Sequence, residues 1–247
     1  MGKFREPSIG RYYQDEPQVV GRGYRAWITR GRNFAIVYTE AQAGAEVAGA
    51  FVDEQVIYIV EGRLEIAAGA ERATLTGEGL AIAPPGEVAV TPRRGTRRSS
   101  RSSPTRRRWP PSPPTPGAYG DGAPEVTPRG RMADADRRLS PAHLRPGRGL
   151  RHGRHGQRLP HPQAHGDPLR PVPRAARRDR ADAPCAPGFR TGVRRLEGGW
   201  IHHLRTPWTA DRRDWRPDIH LELASPSTTV IPAGVIHTSQ GSAAPWA

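Results

Sequence analysis

The sequence predicts an all-β protein, a barrel or sandwich of short strands, interrupted by a long segment of a different kind. Three observations predict it. Apolar and polar residues alternate in short runs before Pro92 and again after Arg195. Glycine and proline corners separate those runs at close spacing, which suits an antiparallel barrel and not a sheet with crossover helices. Between residues 93 and 195 both signals stop.

The elements follow in order. Residues 1–30 read as an extended polar arm carrying Tyr12, Tyr13, Tyr24 and Trp27, with a short strand at Tyr24–Thr29. Residues 31–92 read as a β domain. Phe34–Tyr38 is apolar and β-branched, and Glu54–Val60 is the strongest strand signal in the chain. A turn at Glu61-Gly62 leads to the alternating Arg63–Ala67, and a turn at Gly69-Ala70 leads to Glu71–Leu75. Leu80–Ala83, a Pro84-Pro85-Gly86 corner and Val88–Val90 complete the domain. Residues 196–247 resume the pattern with Trp200–Arg205, a loop over Thr206–Asp218, Ile219–Leu223, Thr228–Ile231, a Pro232-Ala233-Gly234 corner and Val235–His237. That fragment carries too few strands to close a barrel and is expected to leave sheet edges exposed.

The middle segment, 93–195, holds 25 Arg against 7 acidic residues and 17 of the chain's 27 prolines. It has no Ile, no Lys, a single Phe (Phe189) and three Val. Such a stretch cannot fill a core, and its prolines interrupt helix and sheet alike. It is expected to be disordered or misfolded. Its net charge is +18, so the remainder of this +14 chain is mildly acidic. The basic character therefore belongs to one segment. Its arginines would bind polyanions non-specifically, and a basic, disordered nucleic-acid binder is one reading of the chain. No recognition helix, zinc-finger spacing or paired sheet aromatics accompany them. His152, His155, His161 and His165 lie among arginines that disfavour a bound cation.

One cysteine, Cys185, excludes a disulfide framework. No apolar run is long enough to cross a membrane, and the first residues lack the apolar core of a secretory signal. A cytoplasmic protein with no membrane partner is the expectation.

Both flanks resemble the cupin superfamily, antiparallel jelly-roll barrels of the RmlC type. Glu54 followed by QVIYIVEG resembles the second half of the first cupin motif, G-x5-H-x-H-x3/4-E-x6-G, with Gly62 as its closing glycine. Its histidine positions are absent, since VAGAFVD precedes Glu54. Gly79–Gly86 resembles the second motif, G-x5-P-x-G-x2-H, without its histidine, which would fall near Ala89. In the C-terminal part PAGVIH, residues 232–237, matches the second motif closely, and Leu196-Glu197-Gly198-Gly199 resembles the end of the first. The resemblance implies a bicupin, with a metal-free N-terminal half and a C-terminal half whose single divalent metal (Fe, Mn, Ni or Zn) has His237 as one of four ligands. A small-molecule substrate follows from it, and a homodimer is compatible with it. The other ligands should lie at about 184–191, where the chain reads PCAPGFRT and supplies none.

The genetic code offers a reason. Read one nucleotide later, the codons for 184–191 permit His, Ala, His, Gln, Asp, Phe, Glu, Gln in order, which contains H-x-H-x3-E. The expectation is that 93–195 is an out-of-frame translation of a GC-rich gene, restored near Leu196, and that the chain as written holds no metal and is inactive.

His202 and His203 are adjacent on one predicted strand, so their side chains point to opposite faces. With Arg205 and Trp208 they form a candidate pocket set, Arg205 serving as an anion partner and Trp200, Trp208 and Trp215 as aromatic walls. His220 reads as structural or exposed, and Glu54 as a remnant carboxylate. The competing readings are a metal-dependent enzyme acting on a small oxygen-bearing molecule, a non-catalytic cupin sensor or storage-type barrel, and the nucleic-acid binder above.

Overall fold

The computed structural model describes residues 5–31, 34–51, 54–59, 61–93, 98–103, 140–143, 191–195 and 198–242. Among them the regular structure is β throughout, apart from one 3-10 turn at Arg212–Asp214. No helix there is long and apolar enough to cross a membrane. The chain divides into two compact units.

The N-terminal unit contains most residues from Glu16 to Pro116 and the short piece at 131–151. Its larger sheet has seven strands in the order β12(Ser140–His143)-β9(Gly79–Ala83)-β6(Gln55–Ile59)-β11(Arg98–Ser103)-β4(Ala35–Ala41)-β3(Tyr24–Arg30)-β2(Val19–Gly21). Its smaller sheet has four, β5(Val47–Phe51)-β10(Gly86–Pro92)-β7(Arg63–Ala68)-β8(Glu71–Thr76). Every pairing is antiparallel. Alternation explains the core. Strand β7 buries Leu64, Ile66 and Ala68 on one face, β6 buries Ile57 and Ile59, and β10 buries Val88 and Val90. These join Val47, Leu75, Ala81 and Ala83 in one apolar cluster. Gly62 and Gly69 take positive φ at the turns on either side of β7, a conformation that favours glycine.

The C-terminal unit comprises residues 1–15 and 152–247 with a piece at 117–130. It contains two three-stranded sheets, β1(Ser8–Arg11)-β16(Ser227–Ile231)-β13(Thr191–Arg195) and β15(Ile219–Leu223)-β14(Trp200–Arg205)-β17(Ile236–Gly241).

Two expectations change here. The arm expected over residues 1–30 is not one element. Ser8–Arg11 pairs with β16 of the C-terminal unit, while Val19, Ala26 and Ile28 pack against Ala35 and Val37 in the N-terminal unit. The segment 93–195 is also not without strands. Arg98–Ser103, Ser140–His143 and Thr191–Arg195 pair with β4 and β6, with β9 and with β16. The physical reason is that β4, β6, β9 and β16 each present a row of backbone donors and acceptors that a neighbouring chain satisfies whatever its side chains. The rest of that segment, including His152, His155, His161 and His165, lies outside the described residues.

Five strands of the N-terminal unit recur in matching register among the described residues of the C-terminal unit. In the N-terminal unit β6 pairs with β9 so that Gln55 faces Ala83 and Ile57 faces Ala81. In the C-terminal unit β13 pairs with β16 so that Thr191 faces Ile231 and Val193 faces Thr229. The same sequence interval separates Gln55 from Thr191, Gly62 from Gly198 and Ile66 from His202. Strands β7, β8 and β10 correspond in turn to β14, β15 and β17. Between the matched strands the departure is the hairpin after β7, which becomes the long connection Thr206–Asp218 in the second unit.

Candidate functional site

The site is built on β14 and β17. Strand β14 reads WIHHLR and buries His202 and Leu204, leaving His203 half-exposed and Arg205 exposed. Its partner β17 places Ser239 opposite His202 and His237 opposite Leu204. Residues directly opposite on paired strands share a face. His202, Leu204, His237 and Ser239 therefore line one side of the sheet, with the two histidines as diagonal neighbours. Leu204 packs with Ile231, Val235 and Ile219, which identifies this side as the interior of the unit.

His202 is fully buried, and its Nδ1 lies 2.6 Å from the Ser239 hydroxyl. His237 follows the Pro232-Ala233-Gly234 corner, where Gly234 takes positive φ, and is 7% exposed. Its Nδ1 lies 3.0 Å from the Val235 carbonyl oxygen. A carbonyl can only accept, so Nδ1 carries the proton and donates. In the neutral ring the lone pair then sits on Nε2, the arrangement that prepares a histidine to bind a metal ion. Among the described residues no group of three or more His, Cys, Asp or Glu side chains converges on a cation. His237 fits a metal as one ligand. The stretch expected to supply its companions, 184–191, contains no histidine or carboxylate, and its residues 184–190 lie outside the described residues.

The structure separates the candidate pocket set. Only His202 joins His237. His203 lies on the opposite face, its Nδ1 2.6 Å from that of His220 across the β14–β15 pair, the rings edge to face. Arg205, on the same outer face, grips Asp218 with Nε 2.9 Å from Oδ1, and this guanidinium hydrogen bond holds the Asp218 carboxyl below the usual carboxylate range. Trp208 stacks on Trp215 at 5.0 Å between ring centres, and both are exposed. The Trp215 indole donates to the Thr209 carbonyl, and Asp211 caps the 3-10 turn by accepting from Arg213 N. The tryptophans thus hold their own loop in shape and do not wall the interior. Glu54, in the N-terminal unit, is 3% exposed at the start of β6.

Sequence reasoning missed Ser227, Thr229 and Ser239. Strand β16 (STTVI) is buried along its whole length. The signal was available in the repeat: aligned on their registers, Ile66, Val88 and Val90 of the first unit stand where His202, His237 and Ser239 stand in the second. A pocket of about 420 Å³ in the N-terminal unit, lined by Ala68, Gly69, Pro84, Pro85, Gly86 and Glu87, contains none of these groups.

No protein-family model and no curated protein matches the chain. Solved structures do. Vicilin from hazelnut, Corylus avellana, matches over 95% of this chain and 81% of its own at 15% identity, with a TM-score of 0.52. Two shorter matches are KdgF from a Halomonas species (21% identity, 38% of this chain and 90% of that one, TM-score 0.33) and an RmlC-like cupin from Shewanella frigidimarina (24% identity, 38% and 87%, TM-score 0.34). The fold is an antiparallel jelly roll like that of vicilin. The first unit holds an eleven-residue apolar cluster, and the second a smaller one of Leu204, Ile231 and Val235 beside the buried His202 and His237.

Proposed function

We propose that this chain is a cupin-domain protein read partly out of frame, and that its parent binds one divalent metal ion (Fe, Mn, Ni or Zn) and a small oxygen-bearing molecule in the C-terminal barrel. The observation that carries the reading is the repeat. The second unit holds buried imidazoles where the first holds aliphatic side chains, and His237 presents Nε2 for coordination. The N-terminal unit is the structural half.

The strand registers support the shifted frame. Position 190 of the second unit corresponds to Glu54 of the first by the interval that relates Gln55 to Thr191. Read one nucleotide later, position 190 permits glutamate and 191–192 permit glutamine and valine, repeating Glu54-Gln55-Val56. The same offset serves the other end of the segment. Arg101 pairs with Val37 and Ile57, which are both buried, at a position where an apolar residue belongs. With serine as TCN and arginine as CGN, the shifted codons permit leucine at 99, valine at 101 and leucine at 103, the alternation a half-buried strand requires. When bound, a metal there would polarise an oxygen of the substrate. His237 would hold it, and among the described residues nothing completes the set.

Sequencing the gene across codons 90–200 tests the frame. Compensating single-nucleotide shifts at the two ends are expected, and an unbroken reading of the present frame sinks the proposal. In the frame-repaired protein, stoichiometric metal that is lost in His237→Ala supports a metal centre. A repaired barrel that is stable and metal-free supports the sensor or storage reading.

A further inference from the structure

We propose that His203 and His220 form a binding site for a single divalent transition-metal ion (Cu, Ni or Zn) on the outer face of the C-terminal unit. The site is separate from the interior centre proposed above. Both histidines lie beyond Arg195, outside the segment read as out of frame, so the proposal does not depend on that reading.

Strands β14 and β15 pair so that His203 stands directly opposite His220. Opposite residues share a face, which brings the two side chains together. Their Nδ1 atoms are 2.6 Å apart, and the rings meet edge to face. Of two nitrogens in such a contact one donates and the other accepts, so at least one ring already aims a lone pair at its partner. An ion that displaces the shared proton finds both lone pairs converging. Two nitrogens each about 2.0–2.1 Å from a metal ion stand about 2.9–3.3 Å apart at coordination angles of about 90–109°. A small rotation of one ring opens the present contact to that spacing. His220 is exposed and His203 half-buried, which gives the rings room to turn and an ion access from solvent.

The surroundings favour a cation. The charged groups on this face are Arg205 on β14 and, two residues to either side of His220, Asp218 and Glu222. Strand β17 contributes the uncharged Ile236, Thr238 and Gln240. Arg205 is gripped by Asp218, while the Glu222 carboxylate accepts only from the Ser242 hydroxyl, at 3.4 Å. One negative charge is therefore left over beside the pair, in a chain whose net charge is +14.

The N-terminal unit supplies an internal control. Its matching positions are Ala67 and Arg72, opposite each other on β7 and β8. The same strand pair closes there without a ring pair, so the fold itself does not call for one. Imidazole nitrogens select the ion, since they suit Cu, Ni and Zn, whereas Mg and Ca take oxygen ligands. Bound here, the ion would tie β14 to β15 where the Thr206–Asp218 connection leaves and returns.

The test titrates the full chain with Cu(II), Ni(II) and Zn(II), and with Mg and Ca ions as controls. In histidine-resolved NMR, substoichiometric Cu(II) should broaden the ring signals of His203 and His220 together, before those of any other histidine. Cu(II) should bind more tightly than Ni(II) or Zn(II), and Mg and Ca should have no effect. Saturating Zn(II) should raise the thermal midpoint, because the bridging ion binds only the paired strands. Installing the first unit's residues, in His203→Ala or His220→Arg, should abolish that rise and weaken Cu(II) binding at this site by at least about tenfold, since either change breaks the chelate. Broadening of one ring without the other, or of other histidines first, overturns the proposal, and so does a midpoint rise that survives both substitutions. A pair that is only hydrogen-bonded gives neither signal. Should a variant fail to fold, the broadening in the unmodified chain still decides. Failure here leaves the interior metal reading standing, and a metal-free interior leaves this site standing.

Discussion

The two units place different chemistry on one strand frame. In the first, β6, β7 and β10 turn Ile57, Ile59, Leu64, Ile66, Val88 and Val90 into a continuous apolar interior. In the second, β14, β16 and β17 bury His202, His237, Ser227 and Thr229 with Ser239 against His202, and the apolar cluster shrinks to Leu204, Ile231 and Val235 with Ile219 beside it. Burial of aliphatic side chains is the main source of stability in a small barrel. The first unit has more of that source, and the second holds polar and imidazole side chains in its place.

The comparison can be broken at three levels. The largest effect belongs to the N-terminal interior. Ile57→Ala removes a fully buried side chain from a closed cluster and should cost ~2–5 kcal/mol, whereas Leu204→Ala in the sparser cluster should fall near the bottom of that range. Urea unfolding of both variants checks this, and equal losses would show that the two interiors are equally packed.

A smaller effect is pH-dependent. Asp218 has a folded-state pKa below its ordinary value because Arg205 hydrogen-bonds its carboxylate. Its contribution is therefore fully present above the ordinary carboxylate range and is lost as pH falls through the depressed value. The outer end of the β14–β15 pair should loosen only in that acid window, and Arg205→Ala should remove the pH step. Histidine-resolved NMR of His203 and His220 across the titration would report it. The smallest effect lies in the long connection. Trp215→Phe should abolish the exciton couplet of the Trp208–Trp215 stack in circular dichroism while leaving the unfolding midpoint nearly unchanged. A clear loss of stability there would make the loop part of the barrel's support.

Much of the architecture was legible in the residues, for a local reason. Trp200–Arg205 and Ile219–Leu223 are strands with the bounds their alternation marks, and His237 is buried beside a corner whose proline and glycine announce it. Val47–Phe51 was not legible, because VAGAF is apolar throughout and shows no alternation of polar and apolar residues. Ser8–Arg11 was not legible either, because what makes it a strand is β16, at the other end of the chain. The site was half visible. Histidine next to histidine on a strand fixes that only one faces inward, and His202 is that one. The buried hydroxyls stayed hidden because serine and threonine on a strand suit a wetted face as well as an interior.

The pairing of Ser8–Arg11 with Ser227–Ile231 also bears on the order of assembly. During synthesis the first of these segments leaves the ribosome almost a full chain ahead of the second, and the first barrel can close while it waits without a partner. A block at the front of the polypeptide, such as a bulky fusion or a deletion through Arg11, would therefore strike the last strands to be made and leave the nearer barrel intact.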